Sequence, residues 1–202
     1  GVDSSVAAAL LRERGYEVIG VTMKLFSLPP ESCKRESLRS CCGWKATEDA
    51  HSVAIALRIP HYIVDFRKQF EKKVISDFCK EYAQGRTPNP CIRCNQFIKF
   101  DVLMKCLNKF NADYLATGHH ARITYDSKNS RYLLRKGRDA DKDQSYFLYV
   151  LSQEQLARTL MPVGDFTKQE VRRKAQELRL GVAKREESQE ICFIPDNDYI
   201  QF

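Results

Sequence analysis

GVDSSVAAALLRERGYEVIGVTMK, residues 1–24, joins a helical pattern to a strand pattern across one glycine. Val6, Ala7, Leu10 and Leu11 recur at offsets of three and four, so Asp3 to Arg14 reads as a helix that Gly15 stops. Tyr16 to Met23 then reads as a strand, and its continuous apolar, β-branched run suits burial on both faces of a parallel sheet. The alternation continues outward. Ala46 to Leu57 is helical and ends before Pro60, His61 to Phe66 is a strand, Lys72 to Tyr82 is helical, and Gln96 to Phe110 with strand Tyr114 to Gly118 completes another unit. Strands and helices in strict alternation are the mark of a doubly wound α/β layer. Gly85 to Asn95 carries two prolines and reads as irregular, as does the long stretch Ser27 to Gly43. Beyond the first 120 residues the pattern changes, and a smaller, mostly helical second domain is expected to start near residue 145. Tyr132 to Leu134 is a strand, whereas Ser152 to Leu160 and Thr167 to Leu178 are helical, the latter opened by a Thr167/Glu170 capping box.

Composition narrows the classes. The chain has 202 residues, 33 Lys and Arg against 26 Asp and Glu, and a net charge of +7. That length buries about 70% of the unfolded surface, so a core needs no disulfide staples. The longest apolar run, Val6 to Leu11, falls far short of the roughly 18 to 20 residues that span a bilayer, which excludes a membrane protein. Eight unevenly spaced cysteines suit a reducing compartment better than a secreted disulfide scaffold. The modest basic excess agrees with a polyanionic partner, although solvated surface lysines and arginines produce the same balance. The chain opens at Gly1 without an initiator Met and stops within the short run Tyr199 to Phe202, so both ends read as cut. There is no internal repeat and no low-complexity tract.

Four clusters carry chemistry. Gly1 to Val6 precedes a helix, where small residues let backbone N–H groups close on an anion at the positive end of the dipole; an ordinary cap by Asp3 or Ser4 is the alternative. Cys91-Ile92-Arg93-Cys94 follows Thr87-Pro88-Asn89-Pro90, whose prolines stiffen the approach to the thiols. A C-x-x-C pair serves a zinc site, a redox dithiol, an iron–sulfur cluster or nothing at all, and Cys33, Cys41 and Cys42 make a poor second zinc pair. Arg93, with Arg86 and Lys99, is expected to favour a thiolate or to hold a phosphodiester. Cys192 sits in the run Ser188 to Ile194, where a lone thiol between Ile191 and Phe193 is either reactive or simply buried. Lys142-Asp143-Gln144-Ser145-Tyr146-Phe147 mixes groups that contact phosphates and base edges but equally suits a solvated helix start. His119 and His120 follow a strand at the end where open α/β sheets bind ligands.

GVDSSVAA, GRTPNPCIRCNQFIKF, ATGHHAR, KDQSYFLYVL and SQEICFI, in this order, closely resemble the tRNA-specific 2-thiouridylases. The resemblance implies a doubly wound, mostly parallel sheet of the adenine-nucleotide alpha-hydrolase (PP-loop ATPase) type over residues 1–145. It also implies an incomplete, small, mostly helical central domain over 146–202 and a C-terminal β-barrel absent from this chain. It implies ATP, with Mg2+, activating carbon 2 of a tRNA wobble uridine for replacement of oxygen by sulfur. Gly1, Asp3 and Ser4 would hold the nucleotide phosphates, and Met23 and Gly118 would line the nucleotide site. Asn89, Pro90 and Cys91 would lie against the target base and Lys142, Asp143 and Gln144 against the tRNA. Cys192 would receive a persulfide sulfur from a donor protein, it or released hydrosulfide would attack the activated carbon, and Cys94 would close a disulfide with Cys192. Many family members have Asp where Cys91 stands, and the change creates a three-thiol set, Cys91, Cys94 and Cys192, suited to a 4Fe-4S cluster with one open iron. A cytoplasmic bacterial location is implied, or a mitochondrial or plastid one. Two other classes compete: a PP-loop ligase acting on a small metabolite, which needs no paired thiols, and a non-catalytic zinc-bound RNA-binding module.

Overall fold

The computed structural model describes residues 1–26, 44–185 and 191–194. The irregular stretch 27–43, with Cys33, Cys41 and Cys42, lies outside the described residues, as do Ser188 to Glu190 and residues 195–202.

Helix α1 (Val2–Glu13) buries Val2, Val6, Ala7, Ala9, Leu10 and Leu11. Gly15, at φ +84°, ends it. The Gly15 N–H donates to Arg12 O at 3.0 Å and the Tyr16 N–H to Leu11 O at 3.1 Å, the paired closure that a left-handed residue permits. Strand β1 (Gly20–Lys24) follows and pairs in parallel with β2 (His61–Asp65), in register from Gly20↔His61 to Lys24↔Asp65. Helix α2 (Trp44–Ala56) links them. The parallel pairing bears out the α/β expectation, but β1 is half-buried rather than buried on both faces.

Residues 67–83 form one helical run, α3 (Arg67–Phe70), a π-helical stretch Glu71–Ile75 and α4 (Ser76–Ala83). A second run contains α5 (Pro90–Cys94), a π-helical stretch Asn95–Val102, α6 (Leu103–Lys105) and a tight turn Leu107–Phe110. The expectation of an irregular Gly85 to Asn95 is therefore corrected at its C-terminal half. Pro90 stands at the first helical position, where a missing N–H removes nothing and φ is already helical.

Strand β3 (Leu115–Ala116) pairs in parallel with β6 (Thr159–Leu160). Hence the helix expected over Ser152 to Leu160 stops early, as α7 (Gln153–Ala157), and its last residues join a sheet. Strands β4 (Ala121–Asp126) and β5 (Arg131–Lys136) form an antiparallel hairpin. Its turn is held by Asp126, which accepts from the Lys128 N–H at 3.0 Å and Asn129 Nδ2 at 2.8 Å. Helix α8 (Lys168–Glu177) begins at the expected capping box: Thr167 Oγ1 accepts from the Glu170 N–H at 3.2 Å while Glu170 Oε2 accepts from the Thr167 N–H at 2.7 Å.

Two apolar cores hold these elements. One gathers Phe66, Phe70, Val74, Phe78, Ile98, Phe100, Leu115, Leu148 and Phe193. The other packs Val2, Val6 and Leu10 of α1 against Val53, Leu57, Val163, Val171, Ala175 and Leu180. Among the described residues, the segment after residue 145 thus shows no core of its own: Leu148 enters the first and α8 the second. The separate small helical domain expected there is not seen among them. No helix of the described residues is long and apolar enough to cross a membrane.

Candidate active site

Gly1 is the N-cap of α1, and among the described residues no side chain caps the helix. Instead of closing the first turn, the Ser4 and Ser5 hydroxyls donate to Gly1 O at 3.1 and 2.9 Å. The positive end of a 12-residue helix, with no side-chain cap among the described residues, suits an anion. Gly118 lies against this turn so tightly that a Cβ on it would stand 2.5 Å from Ser4 N and 2.6 Å from the Asp3 carbonyl carbon. Only a glycine lets the segment after β3 approach α1 this closely. A Cβ on Gly137 would likewise stand 2.6 Å from His120 O. Met23, near the end of β1, is half-buried against the first core.

Asp3 does not face this corner alone. Lys168 Nζ lies 2.7 Å from both of its carboxylate oxygens and His120 Nε2 3.3 Å from Oδ1. Burial pushes the Asp3 carboxyl up, but the hydrogen bonds from His120 and Lys168, with their charges, more than offset it and hold the pKa below its ordinary value. His119 is buried, and loss of hydration, helped by the Lys99 cation, drives its pKa well below the usual range. Lys99 Nζ lies 3.5 Å from His119 Nε2 and Thr117 Oγ1 2.9 Å from Nδ1. A neutral ring therefore accepts at Nε2 and donates from Nδ1.

The thiols sit on a helix start rather than on a loop. Asn89 caps α5, its Oδ1 accepting from the Ile92 N–H at 3.2 Å; Pro90 is buried beneath it and Cys91 is exposed. Cys94 and Cys192 are both half-buried and both pack against the first core, although they come from distant parts of the chain. Helix α4 stands between their supports. Arg93 Nε donates to Asp77 at 3.0 Å, and the Phe193 ring meets Phe78 edge-on at 5.3 Å and Phe70 at 5.6 Å. The three cations expected to favour a thiolate are engaged otherwise: Arg93 with Asp77, Arg86 with Glu81 at 2.8 Å, and Lys99 with His119.

Among the described residues no three His, Cys, Asp or Glu side chains gather to hold a metal. The 4Fe-4S ligand set weighed for Cys91, Cys94 and Cys192, beside the cluster-free route, thus finds no support among the described residues. Cys91 projects outward from the first turn of α5, while Cys94 and Cys192 lean on the core.

The Lys142 to Gln144 segment is pinned to the same corner. Gln144 Oε1 accepts from the His120 N–H at 2.9 Å, and the Gln144 N–H donates to His120 O at 3.0 Å. Asp143 accepts from the Gly137 N–H at 2.8 Å and from Ser145 Oγ at 2.7 Å. Sequence reasoning passed over Lys168, whose only signal was its place just after the capping residue Thr167, and it did not join His120 to Asp3.

The family model described as the tRNA methyl transferase HUP domain matches residues 1–196. The chain is 54% identical over 199 residues to the tRNA-specific 2-thiouridylase MnmA 2 of Thermoanaerobacter sp. (strain X514), covering 98% of this chain and 54% of that protein. It is 54% identical over 202 residues to the MnmA protein of Heliobacterium modesticaldum, covering 100% and 52%. To that of Natranaerobius thermophilus it is 50% identical over 203 residues, covering 100% and 55%. The chain thus spans about half the length of the curated relatives it matches. An uncapped helix start under a close glycine agrees with the α/β nucleotide-site architecture expected from the sequence, and the chain belongs to the tRNA methyl transferase HUP-domain family.

Proposed function

We propose that this chain is the nucleotide-binding, thiol-bearing part of an ATP-dependent tRNA 2-thiouridylase, a sulfurtransferase acting on carbon 2 of the wobble uridine. The observation that carries the reading is the packing of Cys94 and Cys192, from distant parts of the chain, against one core, in a chain about half identical to proteins of that name. A ligase for a small metabolite has no use for such a pair.

ATP supplies the adenylyl group that turns the carbon-2 oxygen into a leaving group. The first turn of α1, with Gly1 and Ser4, receives the phosphates, and Met23 and Gly118 bound the nucleotide. Asp3 contributes through its partners rather than by touching a phosphate, since a carboxylate repels one. Asn89 and Pro90 set the entry to α5, where the target base would lie near Cys91. Cys192 carries the transferred sulfur as a persulfide, formed when its thiolate attacks the outer sulfur of a donor protein's persulfide and the donor's thiolate departs. Its terminal sulfur attacks carbon 2, AMP departs with the oxygen, and the Cys94 thiolate then attacks the inner sulfur, leaving a Cys94–Cys192 disulfide for an external thiol to reduce. Lys142 is the member of the Lys142 to Gln144 group suited to a tRNA phosphate. The domain boundary near residue 145 and a cytoplasmic location belong to the same reading.

Mass spectrometry of tRNA nucleosides from cells lacking this protein tests it. Wobble 2-thiouridine derivatives are expected to disappear and to return with the full-length protein but not with Cys94→Ser or Cys192→Ser. Unchanged 2-thiouridine overturns the proposal.

A further inference from the structure

The start of α1 is met by the start of a second helix. Lys168 is the first residue of α8, its N–H donates to Asp139 Oδ2 at 2.8 Å, and its ammonium reaches across to Asp3 in the first turn of α1. The Lys168 side chain is only 11% exposed. The positive ends of two helices, of 12 and 10 residues, therefore converge with one ammonium and one imidazole around the Asp3 carboxylate. His120 is nearly fully buried, and its second ring nitrogen, Nδ1, has no hydrogen-bond partner among the described residues.

We propose that Lys168 is a positioning residue of the nucleotide site: by holding both oxygens of Asp3 it neutralises the only carboxylate in the first turn of α1 and keeps that corner receptive to a polyphosphate. The physical reason is one of sign. A bare carboxylate beside an incoming triphosphate repels it, whereas a carboxylate held by two short charged hydrogen bonds is neutralised and fixed in one rotamer.

This inference rests on the nucleotide-binding reading above, and its test separates the two. ATP binding to the full-length protein is measured by titration calorimetry for wild type, Lys168→Met, Lys168→Arg, Asp3→Asn and the double variant, with a melting curve for each. Lys168→Met is expected to weaken ATP binding about tenfold or more, by loss of a charge-assisted pair. Lys168→Arg should recover much of it. Adding Asp3→Asn to Lys168→Met should not weaken binding further, because it removes the exposed negative charge; this double variant buries no unpaired ion and serves if Lys168→Met alone does not fold. Lys174→Met is the control. Lys174 pairs with Glu13 at 3.0 Å and ties the same two helices away from the corner, so its loss should lower the melting temperature and leave ATP affinity within twofold. Lys168→Met binding ATP as wild type does, full additivity of the two substitutions, or an equal loss of affinity in Lys174→Met would each overturn the proposal. A wild-type protein that binds no ATP would overturn the nucleotide-site reading itself, and this inference with it.

Discussion

His119 shows how much one buried side chain is shaped by its surroundings. In the folded chain loss of hydration and the nearby Lys99 cation keep the ring neutral, while the unfolded chain binds a proton near the ordinary histidine value of about 6.5. Its folded pKa is depressed, so the stability it contributes is present above pH 6.5 and is lost as pH falls below that value. The expected slope approaches one proton, about 1.4 kcal/mol per pH unit. Urea unfolding between pH 7 and 5 should show this loss, and His119→Gln should flatten it; an equally steep fall in the variant would mean that another group titrates. The Asp3 carboxyl is also depressed, by partners that outweigh its burial, but its contribution is lost only below the carboxylate range, so the two effects separate along the pH axis. Asp3 and Gly118 stand in motifs that pointed to them one by one, and the fold brings the two together. That Asp3 is held by Lys168 was not readable, since charge pairs between remote positions leave no local pattern.

At the scale of elements, the start of α5 depends on one side-chain oxygen. Asn89 accepts from the Ile92 N–H, and Pro90 fills the first helical position. Asn89→Ala should lower stability by about 1 kcal/mol, the usual effect of losing a cap. It should also fray the turn that displays Cys91 and Cys94, so the alkylation rate of Cys94 should rise in the folded protein. An unchanged melting point and unchanged thiol reactivity would show that the cap does not order this turn. The two prolines made this segment look irregular because proline breaks helix interiors, yet at a first position it favours the helix. The Thr167/Glu170 capping box carried the opposite lesson: both of its hydrogen bonds are local, so the start of α8 could be placed from four residues.

Over the whole molecule, Phe193 links the end of the described chain to the helical runs before it. Its ring meets Phe70 and Phe78, and it is 4% exposed. Phe193→Ala should cost about 3 to 5 kcal/mol and loosen the seat of Cys192, read as faster alkylation of that thiol in native protein. A loss below about 1 kcal/mol would show that this contact does not hold the segment. The net charge of +7 acts at the same scale. Binding of the full-length protein to tRNA should weaken linearly in log–log form as salt rises, because each neutralised phosphate releases counterions. Affinity independent of salt would contradict a phosphate-dominated interface.

Gly15, the periodicity of Val6, Ala7, Leu10 and Leu11, and the apolar run up to Met23 determined α1, β1 and their succession, although β1 starts only at Gly20, because capping, period and strand propensity act within a few residues. The site motifs were legible for the same reason. Tertiary structure alone decided that residues 159–160 leave a helix to pair with β3, since a strand's partner supplies its hydrogen bonds from elsewhere in the chain. It alone decided that α8 packs on α1 and brings Lys168 to Asp3. It also decided that Cys94 and Cys192 lean on one core while Cys91 faces outward. These outcomes depend on which apolar faces bury against one another, and that is a property of the closed chain rather than of any segment of it.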